Sequence, residues 1–331
     1  MLDWQDRSRR LIGDEGVRRL ASARVLLIGL GGVGSFCAEA LGRSGVGAMT
    51  IIDCDTIDPT NINRQLPALT DTIDREKTEV VADRLKRINP DLRLSARFIK
   101  ITAENIDQTL DDPDEKPDFI ADAIDDIPAK VAIAIAAKRR GIELIASMGA
   151  GFRLDPSLLQ ISDISRTHTC PLAKRYRRAL KDLGLSEGIP VVWSREKPIR
   201  LNEGGAGDIG DAGDAGDIGD VSDAGDAGDI GDVSDAGGTG GASDIGDAGD
   251  ASDMSGTGDI GDVSDTGGTG GASYAGGTGD TFSSKEPSRS GRGPASMVFA
   301  PAAAGLLMAS YIVRRIISPD TVDIAKDRSC D

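Results

Sequence analysis

The chain has few cysteines, and none of them lies close to another in the sequence. Its 331 residues include four cysteines, Cys37, Cys54, Cys170 and Cys330, and no C-x-x-C motif occurs. This spacing argues against a disulfide framework, and it argues against a zinc site of four thiolates, which needs closely spaced pairs. The sequence therefore favours a protein of the reducing cytoplasm.

Export and membrane signals are also lacking. The opening residues MLDWQDRSRR are charged and contain no apolar core, so no signal peptide is predicted. Residues 297–313, MVFAPAAAGLLMASYIV, are apolar, but this run contains Pro301 and is short for a bilayer span of about 20 residues. We expect a buried helix that follows a strand, and no membrane association.

Residues 204–282 lack every charged residue type except aspartate. They hold 18 Asp and no Glu, Lys or Arg, and the segment at 229–243 returns at 259–273 with one change. Such a composition offers too little apolar surface to offset the entropy of ordering, so we expect a disordered acidic insert. Removing its 18 negative charges takes the formal net charge from −16 to +2, so charge excludes no class of partner, nucleic acid included.

Outside this insert, apolar runs alternate with helical patterns. The run at 23–29 is typical of a buried strand, and a glycine-rich turn, a helix that stops at Gly45 and a second strand ending in Asp53 and Asp55 follow it. Further strands are predicted at 92–101, 117–125 and 142–147, and further helices at 77–90 and 127–141. The alternation predicts an α/β fold with a doubly wound, mostly parallel, Rossmann-like sheet, in which ligands bind at the carboxyl ends of the strands.

The turn after the first strand, IGLGGVGSF, contains four glycines: Gly29, Gly31, Gly32 and Gly34. Glycines between a strand and a helix let the backbone approach a phosphate, whose charge then meets free N–H groups at the helix N-terminus. The pattern alone cannot distinguish NAD from ATP. Either Asp53 or Asp55, at the end of the second strand, could accept the ribose hydroxyls.

The residues that follow favour ATP over NAD. The motif NINRQ at 61–65 supplies Asn61 for a base or sugar edge and Arg64 for phosphate oxygens, and Lys77 adds a second cation. Asp125, at the end of a later strand, could hold Mg²⁺. Taken singly, each has a plain alternative: Arg64 in a surface ion pair, Lys77 as a solvated helix residue and Asp125 as a helix cap.

Several longer segments resemble one enzyme group. These segments are residues 7–65, EKTEVVADRLKRINP, DAIDDIPAK, SMGAGFRLDPSLLQISDISRT, PLAKRYRRALK and GPASMVFAPAAAGLLMASYIVRRI. They resemble the ThiF/MoeB/HesA group of ubiquitin-activating-enzyme-like adenylating proteins, and within it the tRNA threonylcarbamoyladenosine dehydratases. The resemblance implies a ThiF-type ATP-binding domain in two parts, 1–203 and 283–331, separated by the insert at 204–282.

The resemblance also implies roles for individual residues. Members of the group bind ATP and Mg²⁺ on a homodimer. The glycine turn would face the phosphates, Asp55 the ribose, and Asp125 the metal, while Arg10 would reach into the neighbouring subunit's site. Asn61, Arg64 and Lys77 would bind the phosphates and their surroundings. The implied catalytic residues are Arg10, Arg64, Lys77 and Asp125.

The implied activity is that of an ATP-dependent, ligase-type tRNA-modifying enzyme. ATP would activate the carboxylate of the threonylcarbamoyl group on an adenosine in tRNA, and a nitrogen of the same group would then close a ring. Because the attacking nitrogen is already tethered, no enzyme nucleophile is required. The expected partners are tRNA carrying threonylcarbamoyladenosine, a second copy of the chain and, as in some relatives, a sulfur-transfer or electron-transfer protein.

Three alternatives remain open at this point. An adenylyltransferase for the C-terminal Gly-Gly of a ubiquitin-like sulfur carrier would normally show the paired zinc cysteines that this chain lacks. An NAD-linked oxidoreductase would leave NINRQ, Lys77 and Arg10 without a role. A catalytically silent scaffold would use the acidic insert for binding. The single histidine, His168, is expected to be a loop residue, and Cys170 a passive thiol.

Overall fold

The computed structural model describes residues 4–112, 116–199 and 295–318. The predicted acidic insert at 204–282, its boundaries with the two parts of the domain, and Cys330 lie outside these residues. Both described stretches that flank the insert contribute to the same layered arrangement of helices around one sheet.

The elements follow one another in nearly regular alternation. The helices are α1 (Asp6–Ser22), α2 (Gly34–Ser44), α3 (Lys77–Ile88), α4 (Ile106–Leu110), α5 (Ile127–Arg140), α6 (Pro171–Asp182) and α7 (Phe299–Ile317). The strands are β1 (Arg24–Ile28), β2 (Ala48–Asp53), β3 (Arg93–Phe98), β4 (Phe119–Asp122), β5 (Glu143–Ser147), β6 (Leu159–Asp163) and β7 (Pro190–Ser194). The predicted strands and helices are confirmed, with bounds that differ by a few residues.

The strands form one seven-stranded sheet in the order β3-β2-β1-β4-β5-β7-β6. Every pairing is parallel except that of β6 with β7. The order reverses direction beside β1, because β2 lies on one side of it and β4 on the other. The predicted doubly wound, mostly parallel sheet is therefore confirmed, and a crevice at its carboxyl edge is the expected ligand site.

Helices cover both faces of this sheet, which explains why successive residues within its central strands are apolar. Leu26 and Ile28 of β1 pack into the core that α4, α5 and α6 cover. Val25 and Leu27 of the same strand point to the opposite face, where α1, α2, α3 and α7 lie. Successive side chains of a strand point to opposite faces, so a strand covered on both sides is apolar at successive positions rather than at alternate ones.

The apolar segment near residue 300 forms α7, whose inner side is buried against the first half of the chain. Gly305 lies so close to α2 that a Cβ there would sit 2.2 Å from the carbonyl oxygen of Val33. Among the described residues this is one helix with the length and hydropathy of a membrane span, and half of its apolar stretch is buried in the fold. The prediction of a buried helix is confirmed, although the described residues before it, 295–298, form no strand.

Candidate functional site

The glycine turn closes tightly between β1 and α2. Gly29 has a φ of +92°, and a Cβ there would lie 2.8 Å from the carbonyl oxygen of Ala123 after β4. A Cβ on Gly34 would lie 1.8 Å from the carbonyl oxygen of Gly29. By contrast, a Cβ on Gly31 would meet only the amide nitrogen of Gln65, at 3.8 Å. The outer two glycines are thus required for closing the turn, and Gly31 leaves room beside the backbone for a ligand.

Asp53, the last residue of β2, holds this turn in place. Its buried carboxylate accepts the Leu30 N–H at 2.6 Å with Oδ2 and the Asp55 N–H at 2.8 Å with Oδ1. Both oxygens are therefore occupied by backbone donors from two neighbouring strand ends. Of the two aspartates that the sequence left as candidates for the ribose, Asp53 has this structural role, and Asp55 stays the predicted ribose ligand.

Asp55 and Lys77 form an ion pair beside the turn. Lys77 Nζ donates to Asp55 Oδ2 at 2.7 Å, and the Lys77 side chain is only 5% exposed whereas that of Asp55 is 62% exposed. Lys77 begins α3, and its backbone N–H donates to the Asp55 carbonyl. The alternative of a solvated helix residue is therefore wrong for Lys77, because its ammonium is held inside the site with an accessible carboxylate next to it.

The loop at 61–65 packs against the glycine turn. The Asn61 side chain accepts the Asp58 N–H at 3.2 Å, so it closes the short turn at Pro59–Asn61 from within the protein. Arg64 donates to the Thr60 carbonyl at 2.8 Å and to Asn63 Oδ1 at 3.0 Å. Among the described residues it makes no ion pair with a carboxylate, so the alternative of a surface ion pair is not supported for Arg64.

Arg64 and Gln65 provide polar groups on the open side of the turn. A Cβ on Gly32 would lie 3.6 Å from Arg64 Cγ and 3.1 Å from Pro301 Cβ of α7. The Gln65 side chain is buried beside Gly31, and no described residue donates a hydrogen bond to its Oε1. A narrow backbone cradle, an arginine stem packed against it and a buried amide oxygen fit a nucleotide phosphate with nearby hydroxyl or amino donors.

Asp125 lies in the loop between β4 and α5 with an exposed side chain. The same loop touches the glycine turn through the carbonyl of Ala123 and the side chain of Ile124, both within 3.0 Å of a Cβ built on Gly29. The cap of α5 is Asp126, whose carboxylate accepts the Ala129 N–H at 2.9 Å. The alternative of a helix cap is therefore wrong for Asp125, and its carboxylate is available at the carboxyl edge of the sheet.

Arg10 is the predicted site residue that this chain does not bring to the turn. It lies on α1, its side chain is 76% exposed, and it pairs with Asp6 of the same helix at 2.6 Å. His168, as expected, is exposed in a loop, and its ring meets that of Trp193 edge-on at 4.4 Å between centroids.

A thiol nucleophile at this site is disfavoured. Cys54 is exposed between Asp53 and Asp55, and its partial burial together with these two carboxylates raises the pKa of its thiol. Burial raises the pKa of Cys37 to about 12. Because the thiolate is the reactive form, neither cysteine is prepared for covalent catalysis at neutral pH.

Sequence reasoning missed a buried ion pair beneath the metal-side loop. Lys130 of α5 and Asp122 at the end of β4 are fully buried, and Nζ donates to Asp122 Oδ2 at 2.9 Å. The same ammonium donates to the carbonyls of Ile124 at 3.1 Å and Ser147 at 3.0 Å. Through these hydrogen bonds, Lys130 connects the ends of β4 and β5 to Ile124, the neighbour of Asp125. The sequence places it only on an apolar helix, and its partners come from other elements.

The chain is similar to known proteins in sequence and in fold. The profile of the ThiF family matches residues 5–328. The chain belongs to the ThiF family. The ThiF-family chain is similar to the tRNA threonylcarbamoyladenosine dehydratase of Bacillus subtilis (strain 168), with 41% identity over 203 residues, which are 61% of this chain and 79% of the relative. It is 36% identical over 203 residues to the dehydratase of Escherichia coli (strain K12), covering 58% of this chain and 75% of the relative.

In fold, too, the chain is similar to a tRNA threonylcarbamoyladenosine dehydratase. The crystal structure of E. coli tRNA N6-threonylcarbamoyladenosine dehydratase in complex with ATP has a TM-score of 0.57 and 35% identity, and covers 60% of this chain and 84% of that chain. The sulfur carrier protein ThiS adenylyltransferase of E. coli (strain K12) is 32% identical over 154 residues, 45% of this chain and 60% of the relative. The predicted family is confirmed, and the sulfur-carrier enzymes are more distant relatives.

The buried pair leads to a prediction for Lys130→Met. Removing the ammonium leaves Asp122 buried without its counterion, so the free energy of unfolding at pH 7 should fall by about 3–5 kcal/mol. Burial already raises the pKa of the Asp122 carboxyl, and Lys130 opposes that rise. In the variant the folded state therefore binds a proton that the unfolded state has released, and the loss of stability should shrink as pH falls from 7 towards 5.

Denaturant unfolding of the wild type and of Lys130→Met at pH 7 and pH 5 measures this loss of stability. Lys138→Met, at an exposed position on the same helix, is the matched control and should change stability little at either pH. A loss in Lys130→Met that is the same at both pH values would show that Asp122 does not carry the buried charge.

Proposed function

We propose that this chain is an ATP-dependent tRNA threonylcarbamoyladenosine dehydratase. In this reaction, the carboxylate of the threonylcarbamoyl group on tRNA is activated by ATP and then cyclised. The observation that carries the proposal is the contact of Arg64 with the glycine turn at Gly32. The contact is made by the methylene stem of Arg64, so it supports a position of this arginine beside the turn, where its guanidinium would bind the phosphates. The chain is also 41% identical to a dehydratase of this name. The glycine turn and Arg64 bind the phosphates, Asn61 frames their loop, and Asp55 accepts the ribose hydroxyls.

Lys77 and Asp125 complete the phosphate side of the site. The buried ammonium of Lys77, already within 2.7 Å of Asp55, offsets negative charge that develops as the phosphorus is attacked. Asp125 is the residue that would hold Mg²⁺, which supplies charge neutralisation at the phosphate oxygens. Its exposed carboxylate and its loop, packed on Gly29, fit this role.

The chemistry needs activation because a carboxylate is a poor electrophile. A carboxylate oxygen attacks a phosphorus of ATP, and the phosphate fragment beyond the broken bond leaves. A nitrogen of the same threonylcarbamoyl group then attacks the activated carbonyl carbon and loses its proton, while the former carboxylate oxygen departs with phosphorus. The nucleoside loses one water in total. The tethered nitrogen makes ring closure effectively unimolecular, so the raised thiol pKa of Cys54 is no obstacle.

The working unit in this proposal is a homodimer in which Arg10 acts on the partner's site. Arg10 and the neighbouring Leu11 are exposed on α1. Three apolar side chains at and near the start of α7 are exposed as well: Met297, Phe299 and Leu306. An arginine that its own chain leaves in solvent, next to apolar side chains, fits an interface between two copies. In this proposal the protein is cytoplasmic and does not associate with a membrane. A sulfur-transfer or electron-transfer partner stays a prediction.

The reaction is tested by nucleoside mass spectrometry. The full chain is incubated with ATP, Mg²⁺ and tRNA that carries threonylcarbamoyladenosine, and the digested nucleosides are weighed. We expect the modified nucleoside to lose the mass of one water only when ATP is present. No mass change, with ATP consumed only after addition of a carrier protein that ends in Gly-Gly, would assign the chain to the sulfur-carrier adenylyltransferases instead.

Mixed dimers test the role of Arg10. Arg10→Ala and Asp125→Ala should each lower cyclisation about 10²- to 10³-fold, because each removes a charge that stabilises the transition state. If Arg10 acts across the interface, a re-equilibrated mixture of the two variants should regain about one quarter of the wild-type sites, since half of the dimers carry one intact site.

The matched control mixes Arg64→Ala with Asp125→Ala. Both residues belong to one subunit's site, so every site in these dimers remains damaged and activity should stay at the level of the single variants. Equal behaviour of the two mixtures would contradict action of Arg10 in trans.

A further inference from the structure

In the loop after β5, apolar side chains are exposed and a charged side chain is buried. Phe152 and Leu154 are 40% and 36% exposed, whereas Arg153 between them is 3% exposed. The hydrophobic effect favours the opposite arrangement, with the aromatic and aliphatic groups inside and the guanidinium in water. Something other than core packing must therefore account for the inward position of Arg153.

The backbone is constrained to keep this arrangement. Phe152 has a φ of +58°, the left-handed region that a bulky residue rarely adopts. Its N–H donates to the Ala295 carbonyl and its carbonyl accepts the Ile199 N–H, both at 2.8 Å. Two long-range hydrogen bonds thus hold Phe152 in an unfavourable conformation directly before the buried Arg153.

The guanidinium of Arg153 is only partly satisfied. Nη1 donates to the Gly151 carbonyl at 2.9 Å, but Nε and Nη2 are buried and have no hydrogen-bond partner among the described residues. The neighbouring carboxylate of Glu196 accepts the N–H groups of Leu154 and Asp155 instead. Nε and Nη2 lie on one edge of the guanidinium, and this edge presents two parallel N–H groups. Arginine stays charged, and the two N–H groups match the two oxygens of a carboxylate or phosphate.

Hydrogen bonds connect this loop to the glycine-turn site. Phe152 is bonded to Ala295, and the carbonyl of the next residue, Ser296, accepts Asn63 Nδ2 at 2.8 Å. Asn63 in turn accepts from Arg64 through Oδ1 at 3.0 Å. Residues 295–296 therefore lie between the Arg153 loop and the Arg64 loop. The Arg153 loop also follows a parallel strand at the carboxyl edge of the sheet, as the other site residues do.

We propose that Arg153 is a substrate-binding residue whose Nε and Nη2 receive the carboxylate of the threonylcarbamoyl group. This inference rests on the proposed function, in which that carboxylate must come close to the phosphate groups that Arg64 binds. The bidentate pair orients one carboxylate oxygen towards phosphorus and distinguishes tRNA that carries the modification from tRNA that lacks it. Phosphate groups of ATP or of the RNA backbone share the same chemistry, and the experiment separates these sources.

The test measures binding rather than turnover. Two anticodon stem-loop RNAs, with and without the threonylcarbamoyl group on the adenosine beside the anticodon, are titrated against the full chain with Mg²⁺ and a non-hydrolysable ATP analogue. We expect the wild type to prefer the modified RNA by about 10- to 100-fold, the effect of a charge-assisted bidentate contact. Arg153→Gln should reduce this preference to within about twofold and leave the affinity for the ATP analogue unchanged.

Further variants keep the test decisive. Arg87→Gln, the same substitution at an exposed position in the last turn of α3, should retain the preference. Arg153→Lys keeps the charge without the two-pronged edge, so it should lose most of the preference and serves if Arg153→Gln does not fold.

Three results would overturn the inference. The first is that Arg153→Gln prefers the modified RNA as strongly as the wild type does. The second is that Arg153→Gln binds both RNAs more weakly by the same factor, which indicates that Arg153 binds backbone phosphate. The third is that Arg153→Gln binds the ATP analogue more weakly, which indicates that Arg153 binds nucleotide phosphate. Cyclisation by the wild type is measured separately by mass spectrometry. A binding preference without cyclisation would therefore count against the proposed function and not against Arg153.

Discussion

The contacts of Asp53 are the constraint on which the site depends. One carboxylate at the end of β2 holds the Leu30 N–H with one oxygen and the Asp55 N–H with the other. It thereby ties the glycine turn after β1 to the residue that the resemblance assigns to the ribose. Because hydrogen bonds to a carboxylate in a buried setting are strong, the turn and Asp55 have one arrangement relative to each other before any ligand binds. Arg64, Gln65 and the loop of Asp125 then pack onto a turn whose shape is already set.

Much of the fold could be predicted from the sequence because its signals are local. Strand β1 is apolar at successive positions, Gly45 ends α2 with a φ of +86°, and Gly141 ends α5 with a φ of +64°. Each of these features depends on neighbours within one element. The resemblance to the ThiF group rests on longer motifs of the same kind. The family and the mostly parallel sheet were therefore predictable without coordinates.

The site was only partly predictable, because several of its contacts join distant residues. The sequence indicates that Lys77 and Asp125 are polar residues near strand ends, yet the burial of Lys77 and the capping of α5 by Asp126 follow from packing. Lys130 lies in an apolar helical stretch, and its partners belong to β4 and β5. Arg153 was missed for a similar reason. It lies in a loop that is held by a hydrogen bond from Phe152 to Ala295, more than 140 positions away in the numbering.

The proposed function requires ATP at the carboxyl edge of the sheet, although the glycine pattern there also suits NAD. Isothermal titration calorimetry of the full chain with ATP in the presence of Mg²⁺, and separately with NAD, tests this claim most directly. We predict saturable binding of ATP that weakens in Arg64→Ala, and no comparable binding of NAD. Tighter binding of NAD than of ATP, or ATP affinity that does not depend on Arg64, would contradict the account.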